Sequence, residues 1–209
     1  MENALDYLTE KYNLDFDQRL PINIQKENKS YGRWYALPEI FRELGYKVGA
    51  EIGVEQGAYS ARLCKNIPGL KLYSIDSWIA YKGYREHVSQ SKLDRFFETA
   101  RERLAEYDCV IMRSFSMDAV KMFPDGYFDF IYIDGNHDFK NVANDIIEWE
   151  KKVRVGGIVA GHDFKRQSHR SKYICHVKDV VQAYAYAHGI RPWFVLRGDK
   201  APTWFWVKV

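Results

Sequence analysis

The chain has no stretch near the roughly 20 consecutive apolar residues that a membrane span requires. Its start, Met1-Glu2-Asn3-Ala4-Leu5-Asp6, lacks a basic segment followed by an apolar run, so it does not read as a signal peptide. Cysteine is scarce: Cys64, Cys109 and Cys175 are scattered, odd in number and without CxxC or Cys/His spacing. That excludes a disulfide scaffold or a zinc finger and points to reduced thiols in a cytoplasmic protein. No block of Lys and Arg dominates, and the formal net charge is only +3. A nucleic-acid partner would call for a concentrated basic face, so none is expected. There is no internal repeat and no low-complexity linker.

What remains is the composition of an ordinary folded domain. With 209 residues and a hydrophobic share of 46%, the chain fits one domain with a sizeable core. Aromatics reach 16%. They fill cores most often, but they also suit a surface that holds an organic ligand.

Residues 1–30 are polar and weakly periodic. They read as an N-terminal appendage with one short helix, ahead of a single domain over 31–209. Trp34 to Leu44 has a helical pattern closed by Gly45. A βα alternation follows. Strands are expected at Val48–Ile52, Leu72–Ile75, Cys109–Met112, Phe128–Ile133 and Ile158–Gly161. Helices are expected at about Tyr59–Asn66, Ser91–Tyr107, Ser116–Phe123 and Tyr173–His188. Another helix places Phe139, Val142, Ile146 and Trp149 on one face, with Asp145, Glu148 and Lys152 largely outside it. Pro192–Leu196 and Thr203–Val207 close the chain as two strands. The short loop between them favours an antiparallel pair.

Strands alternating with helices predict an α/β fold: a Rossmann-like, doubly wound parallel sheet. Ligands bind such sheets at the carboxyl ends of the strands. The residues at those ends are Glu51, Asp76, Arg113 with Ser114, Asp134, and His162 with Asp163.

The first strand runs into Glu51-Ile52-Gly53-Val54-Glu55-Gln56-Gly57. A dinucleotide site would have G-x-G-x-x-G here, to seat a pyrophosphate on the helix N-terminus. This turn is G-x-x-x-G, and Glu51 and Glu55 flank the place a phosphate would take. Their charge disfavours an anion and favours a cationic ligand. Asp76 could accept hydrogen bonds from both ribose hydroxyls of an adenosine, or could be a solvated turn cap.

Taken in order, Glu51 to Gly57, Ile75-Asp76-Ser77-Trp78, Tyr132-Ile133-Asp134-Gly135-Asn136-His137 and Gly156-Gly157-Ile158-Val159-Ala160-Gly161-His162-Asp163 resemble the class I methyltransferases. They are most similar to the small-molecule O-methyltransferases that include catechol and macrolide-sugar enzymes. The resemblance spans about Val48 to Phe164. It implies a seven-stranded sheet, mostly parallel with the last strand antiparallel. It implies S-adenosylmethionine as cofactor, held by Glu51, Gly53, Gly57, Asp76, Ser114 and Asp134. The acceptor it implies is a hydroxyl on a small molecule, a sugar or a phenol.

In that family's sheet order, the strands ending at Asp134 and at His162-Asp163 are neighbours, about 4.8 Å apart. Their side chains can converge. In the metal-dependent branch the positions of Asp134, His162 and Asp163 bind a divalent cation. Carboxylates suit Mg²⁺ or Ca²⁺, while the histidine, which stands where the family usually has Asp or Glu, admits Mn²⁺, Fe²⁺ or Zn²⁺. The other reading is that His162 and Asp163 hydrogen-bond a loop. His137 stands where catechol-type enzymes carry a lysine base, and with Asp134 forms the catalytic pair; a helix-capping or surface histidine is the other reading. Trp78, Tyr81, Tyr84, Arg85 and His87 read as a lid or acceptor wall, or as core.

Two alternatives stand beside this reading. Gly135-Asn136-His137-Asp138 is similar to part of a metallophosphoesterase motif, but the D-x-H and G-D-x-x-D partners of that motif are missing. A non-catalytic adenosine-binding domain is the other. The oligomeric state is open, a homo-oligomer included.

Overall fold

The computed structural model describes residues 3–16, 19–24, 32–81, 89–167 and 174–209. Helix α1 (Ala4–Tyr12) is capped by Asn3, whose side chain accepts from the Leu5 amide. Strand β1 (Ile22–Ile24) precedes α2 (Ala36–Glu43). The βα alternation then runs as β2 (Val48–Ile52), α3 (Ala58–Asn66), β3 (Lys71–Asp76), α4 (Gln90–Leu104), β4 (Cys109–Arg113), α5 (Ser116–Ala119) with a 3₁₀ turn over Val120–Met122, β5 (Phe128–Ile133), α6 (Phe139–Lys152) and β6 (Val153–Gly161). Helix α7 (Val177–Ala187) and strands β7 (Phe194–Leu196) and β8 (Thr203–Val207) close the fold.

The sheet order is β1-β7-β8-β6-β5-β2-β3-β4. β8 runs antiparallel to both β6 and β7, and every other pairing is parallel. This is the expected Rossmann-like sheet with one difference: among the described residues it has eight strands, not seven. The extra strand, β1, comes from the segment read as an appendage. It pairs Ile22 with Phe194 and Ile24 with Leu196, and Ala4, Leu8, Ile22 and Ile24 are buried. Three residues with one polar position between two isoleucines are too short to carry a readable period.

Both faces of the sheet are covered, so the central strands alternate between two cores. Phe130, Tyr132, Ile158, Ala160 and Phe205 face α1, α2 and α3. Phe128, Ile131, Ile133, Val159, Trp204 and Trp206 face α5, α6 and α7. β6 begins five residues earlier than its expected start at Ile158. Phe128 pairs with Val153 while Phe130 pairs with Ile158, so residues 154–157 form an irregularity and Gly156 takes φ +77°. In α6 the expected buried face is also rotated. Phe139 is 56% exposed, and Asp145 is buried with Val142, Ile146 and Trp149.

The crossing of chain at the centre of the carboxyl edge depends on one glycine. Gly53 has φ +90°, and a Cβ there would lie 2.2 Å from the carbonyl oxygen of Asp134. The end of β2 and the end of β5 therefore touch backbone to backbone. The same contact is tied by the Asp134 amide donating to the Ile52 carbonyl at 2.7 Å. Among the described residues no helix is long and apolar enough to cross a membrane.

Candidate functional site

A cleft of about 650 Å³ opens at the carboxyl ends of β2 to β6. Its walls carry every site residue expected from the sequence except Gly57: Glu51, Gly53, Asp76, Ser114, Asp134, His137, His162 and Asp163. Gly57 lies just outside, as the left-handed N-cap of α3, packed toward Leu104 and Ala100 of α4. Of the strand-end residues, Arg113 turns away. It pairs with Asp94 at 2.8 Å and lies over the Phe97 ring.

Asp76 organises the glycine turn. Its Oδ2 accepts from the amides of Val54 and Glu55, each at 3.0 Å, and its Oδ1 accepts from Trp78 N at 3.0 Å. One oxygen thus carries two bonds and the other one, so Oδ1 keeps acceptor capacity toward the cleft. Ser114 supports it from β4, donating its amide to the Asp76 carbonyl at 2.9 Å. Trp78 is core here: it is 1% exposed, packs on Phe97, and donates from Nε1 to the Glu55 carbonyl at 2.7 Å. Tyr81 is at the cleft wall, while Tyr84, Arg85 and His87 lie outside the described residues.

Glu51 is 2% exposed. Its carboxyl accepts from the Ser60 hydroxyl, which lies 2.6 Å from the Ser74 hydroxyl. Burial pushes its pKa up to about 8, although the Ser60 hydrogen bond opposes this. Burial thus favours the neutral, hydrogen-bonded form of this wall group.

The second cluster converges as the strand order requires. His137 Nε2 lies 3.1 Å from Asp163 Oδ2 and 3.5 Å from Asp134 Oδ1. His162 Nδ1 lies 3.5 Å from Asp163 Oδ2 and 3.6 Å from Asp134 Oδ1. The outer carboxylate oxygens are held elsewhere: Asp134 Oδ2 by Arg33 at 2.7 Å and Asp163 Oδ1 by Lys165 at 2.7 Å. Burial would raise both carboxyls, but the facing histidines outweigh it. Asp134 is held well below the usual range, with Arg33 adding to the effect, and Asp163 is held down to about 2. His162 is raised by the same two carboxylates against its own burial.

His137 is neither a helix cap nor a surface group. The cap of α6 is Asp138, which accepts from the Asn141 amide at 2.9 Å, and the His137 side chain is only 14% exposed. Asn136 turns away from the cluster, donating to the Tyr81 hydroxyl at 2.9 Å. The Asn-His pair thus does not act as one ligand set, as a phosphoesterase motif would need.

Arg33 was not legible from the sequence. It reaches the site from ahead of α2 and donates to Asp134 and, at 3.1 Å, to the Tyr132 hydroxyl. Its guanidinium lies 5.3 Å from the centroids of both Trp34 and Tyr59. Burial opposes its charge, yet Tyr132 and Asp134 outweigh this and hold its pKa above the ordinary value. Lys165 and Asp145 were missed as well. For Asp145 a signal existed: it falls three residues after Val142 and four before Trp149, on the apolar stripe.

A doubly wound sheet with one antiparallel strand near its edge, and an acidic glycine turn facing a cleft, defines a Rossmann-like methyltransferase. Residues 50–164, more than half of the chain, match the model of a methyltransferase-domain family, and the chain belongs to that family. Solved structures repeat the fold. An O-methyltransferase from Bacillus cereus in complex with SAH is 17% identical, with a TM-score of 0.59, covering 99% of this chain and 90% of that one. TomG of Streptomyces achromogenes, an O-methyltransferase of tomaymycin synthesis in complex with SAM, is 18% identical, with a TM-score of 0.55 over 100% and 91%. A Staphylococcus aureus protein provisionally assigned as a caffeoyl-CoA O-methyltransferase is 14% identical, with a TM-score of 0.65 over 98% and 90%. At these identities the likeness is one of fold. No protein of curated function matches the sequence.

Proposed function

We propose that the chain transfers a methyl group from S-adenosylmethionine to a hydroxyl oxygen of a small molecule, a sugar or a phenol. The observation that carries this is the joining of two half-sites in one cleft: the turn from Gly53 to Gly57 with Asp76, and the cluster of Asp134, His137, His162 and Asp163. The cofactor fits the residues present. The cleft is large enough for it beside a small acceptor. Its acidic wall suits a ligand that carries a sulfonium and an ammonium and no phosphate. Asp76 Oδ1 has acceptor capacity for a ribose hydroxyl, and Glu51 and the Gly53 turn would hold the amino-acid end.

A divalent cation also fits. Asp134, His162 and Asp163 each offer one ligand atom, all within 4.8 Å of one another. Arg33 and Lys165 hold the outer oxygens and leave the inner pair facing the histidines. A nitrogen donor in this set favours Mn²⁺, Fe²⁺ or Zn²⁺ over Mg²⁺.

S-adenosylmethionine supplies a methyl group that is already electrophilic, so the chain's task is to orient the acceptor and raise its nucleophilicity. A cation at the cluster would supply further acidification of a hydroxyl held there. His137 takes the hydroxyl proton, and Asp163 and Asp134, which face its Nε2, stabilise the imidazolium that results. His137 and His162, with Arg33 adding to them, keep Asp134 ionised.

The test is calorimetric titration with S-adenosylhomocysteine, NAD and ATP, followed by a screen for transfer of labelled methyl groups to hydroxyl compounds. Binding of S-adenosylhomocysteine that is lost in Asp76→Ala supports the reading. Tighter binding of ATP or NAD would overturn it. Binding without transfer to any acceptor would favour a non-catalytic adenosine-binding domain. Once an acceptor is known, His137→Ala should lower kcat by about 10²-fold or more and remove the acidic limb of its pH profile.

A further inference from the structure

The mechanism leaves one buried acid unused. Asp145, in the second turn of α6, is 5% exposed and lines the cleft. Its Oδ1 accepts from the Ser116 hydroxyl. Ser116 in turn accepts from Trp149 Nε1 at 2.7 Å, so its own proton is committed to Asp145. No described residue donates a hydrogen bond to Oδ2. It lies on the cleft side, where a Cβ added to Gly135 would be 3.6 Å away. A largely buried carboxyl with one oxygen that has no protein donor gains from a ligand donor.

The position says which part of a ligand arrives there. Ser114 joins the end of β4 to Asp76, and the chain continues through Phe115 to Ser116. A base attached to a ribose on Asp76 would have Phe115, Ser116 and Asp145 beside it on the same cleft wall. The cleft wall there is aromatic: the rings of Tyr81 and Phe115 pack edge to face with centroids 5.6 Å apart, and both residues line the cleft. An aromatic wall beside an acceptor that no described residue occupies suits a purine carrying an exocyclic amine.

We infer that Asp145 sets the nucleobase specificity of the cofactor site, its Oδ2 accepting a hydrogen bond from the 6-amino group of adenine. This rests on the cofactor reading above and adds a residue to it. The test compares S-adenosylhomocysteine with S-inosylhomocysteine, in which a 6-oxo group replaces the amine. Affinities are measured at pH 8.5, because burial and nearby Asp138 push the Asp145 carboxyl up to about 7. The wild-type chain should prefer the adenosyl ligand by about tenfold or more, since the 6-oxo group would face an unpaired carboxylate. In Asp145→Asn the side-chain carbonyl takes the Ser116 proton and the amide NH₂ faces the cleft. The preference should then fall by at least about tenfold. Asp145→Ser, which removes the carboxyl without adding bulk, serves the same comparison if the Asn variant does not fold. A wild-type preference below tenfold, or one retained in the variants, overturns the inference while leaving the cofactor reading intact. Binding of neither ligand by the wild-type chain defeats both.

Discussion

Gly53→Ala is the sharpest probe of how the site is assembled, and Gly45→Ala is its control. Both glycines have positive φ, +90° at Gly53 and +70° at Gly45. At Gly45, after α2, a Cβ would meet nothing within 4 Å, so alanine there incurs only the backbone cost, about 1–2 kcal/mol. At Gly53 the Cβ would lie 2.2 Å from the Asp134 oxygen and 2.7 Å from Gly135 Cα, where ordinary contact begins near 3.4 Å. All of these are backbone atoms, so relief means moving the end of β2 or of β5 by about 1 Å, the difference between those distances. That strains the pairing of Asp134 N with Ile52 O at 2.7 Å and of Gly53 N with Ile75 O at 2.9 Å. Adding about 1 kcal/mol for each pairing and about 1 for residual overlap brings the total loss to roughly 4–5 kcal/mol. For a domain of this size that is a fall in Tm of roughly 10–15 °C, against roughly 3–6 °C for Gly45→Ala. Urea unfolding followed by circular dichroism gives the first number, and titration with S-adenosylhomocysteine gives the second. Affinity should drop at least about tenfold in Gly53→Ala and be unchanged in Gly45→Ala. Equal destabilisation by the two substitutions would refute the backbone crossing as the feature that builds the site.

Arg33→Met should destabilise the chain by about 2 kcal/mol in chemical unfolding, below the ~3–5 of a fully buried pair because His137 and His162 remain beside Asp134. A loss under about 0.5 kcal/mol would mean that Arg33 does not hold Asp134 in solution. Glu51 has a folded pKa raised above its ordinary value, so the stability it contributes is full below about pH 4.5 and is lost as the pH rises through about 8. Glu51→Gln should therefore flatten the decline in unfolding free energy between pH 5.5 and 8.5, and an unchanged slope would contradict the buried neutral carboxyl. Asp163→Ala should abolish uptake of Mn²⁺ or Zn²⁺ in metal analysis while changing S-adenosylhomocysteine affinity less than about threefold; retained stoichiometric metal would remove Asp163 from the ligand set.

The sequence by itself determined the central strands of the sheet and the edge at which the cleft opens. Alternating strands and amphipathic helices leave few topologies, and the handedness of βα crossovers sends the carboxyl end of each parallel strand to one side. Glu51, Asp76, Ser114, Asp134, His162 and Asp163 could thus be set at one edge from chain order alone. Local chemistry also read correctly at Gly45, where the helix ends in a left-handed residue. What only the tertiary structure decided are relations between residues distant in sequence. Ile22–Ile24 becomes a strand because β7 offers an open edge, not because of its own pattern. Arg33 becomes part of the site because Trp34 and Tyr59 fix its guanidinium against Asp134, about 100 positions along the chain. Asp145 is a charged letter in a helix until Ser116, from a different element, gives it a partner and leaves its second oxygen facing the cleft. The physical reason is the same in each case. Backbone preference and hydrophobic period act over a few residues and write themselves into the sequence. Burial of a polar group is decided by whether a partner arrives from elsewhere in the fold, and no local pattern encodes that.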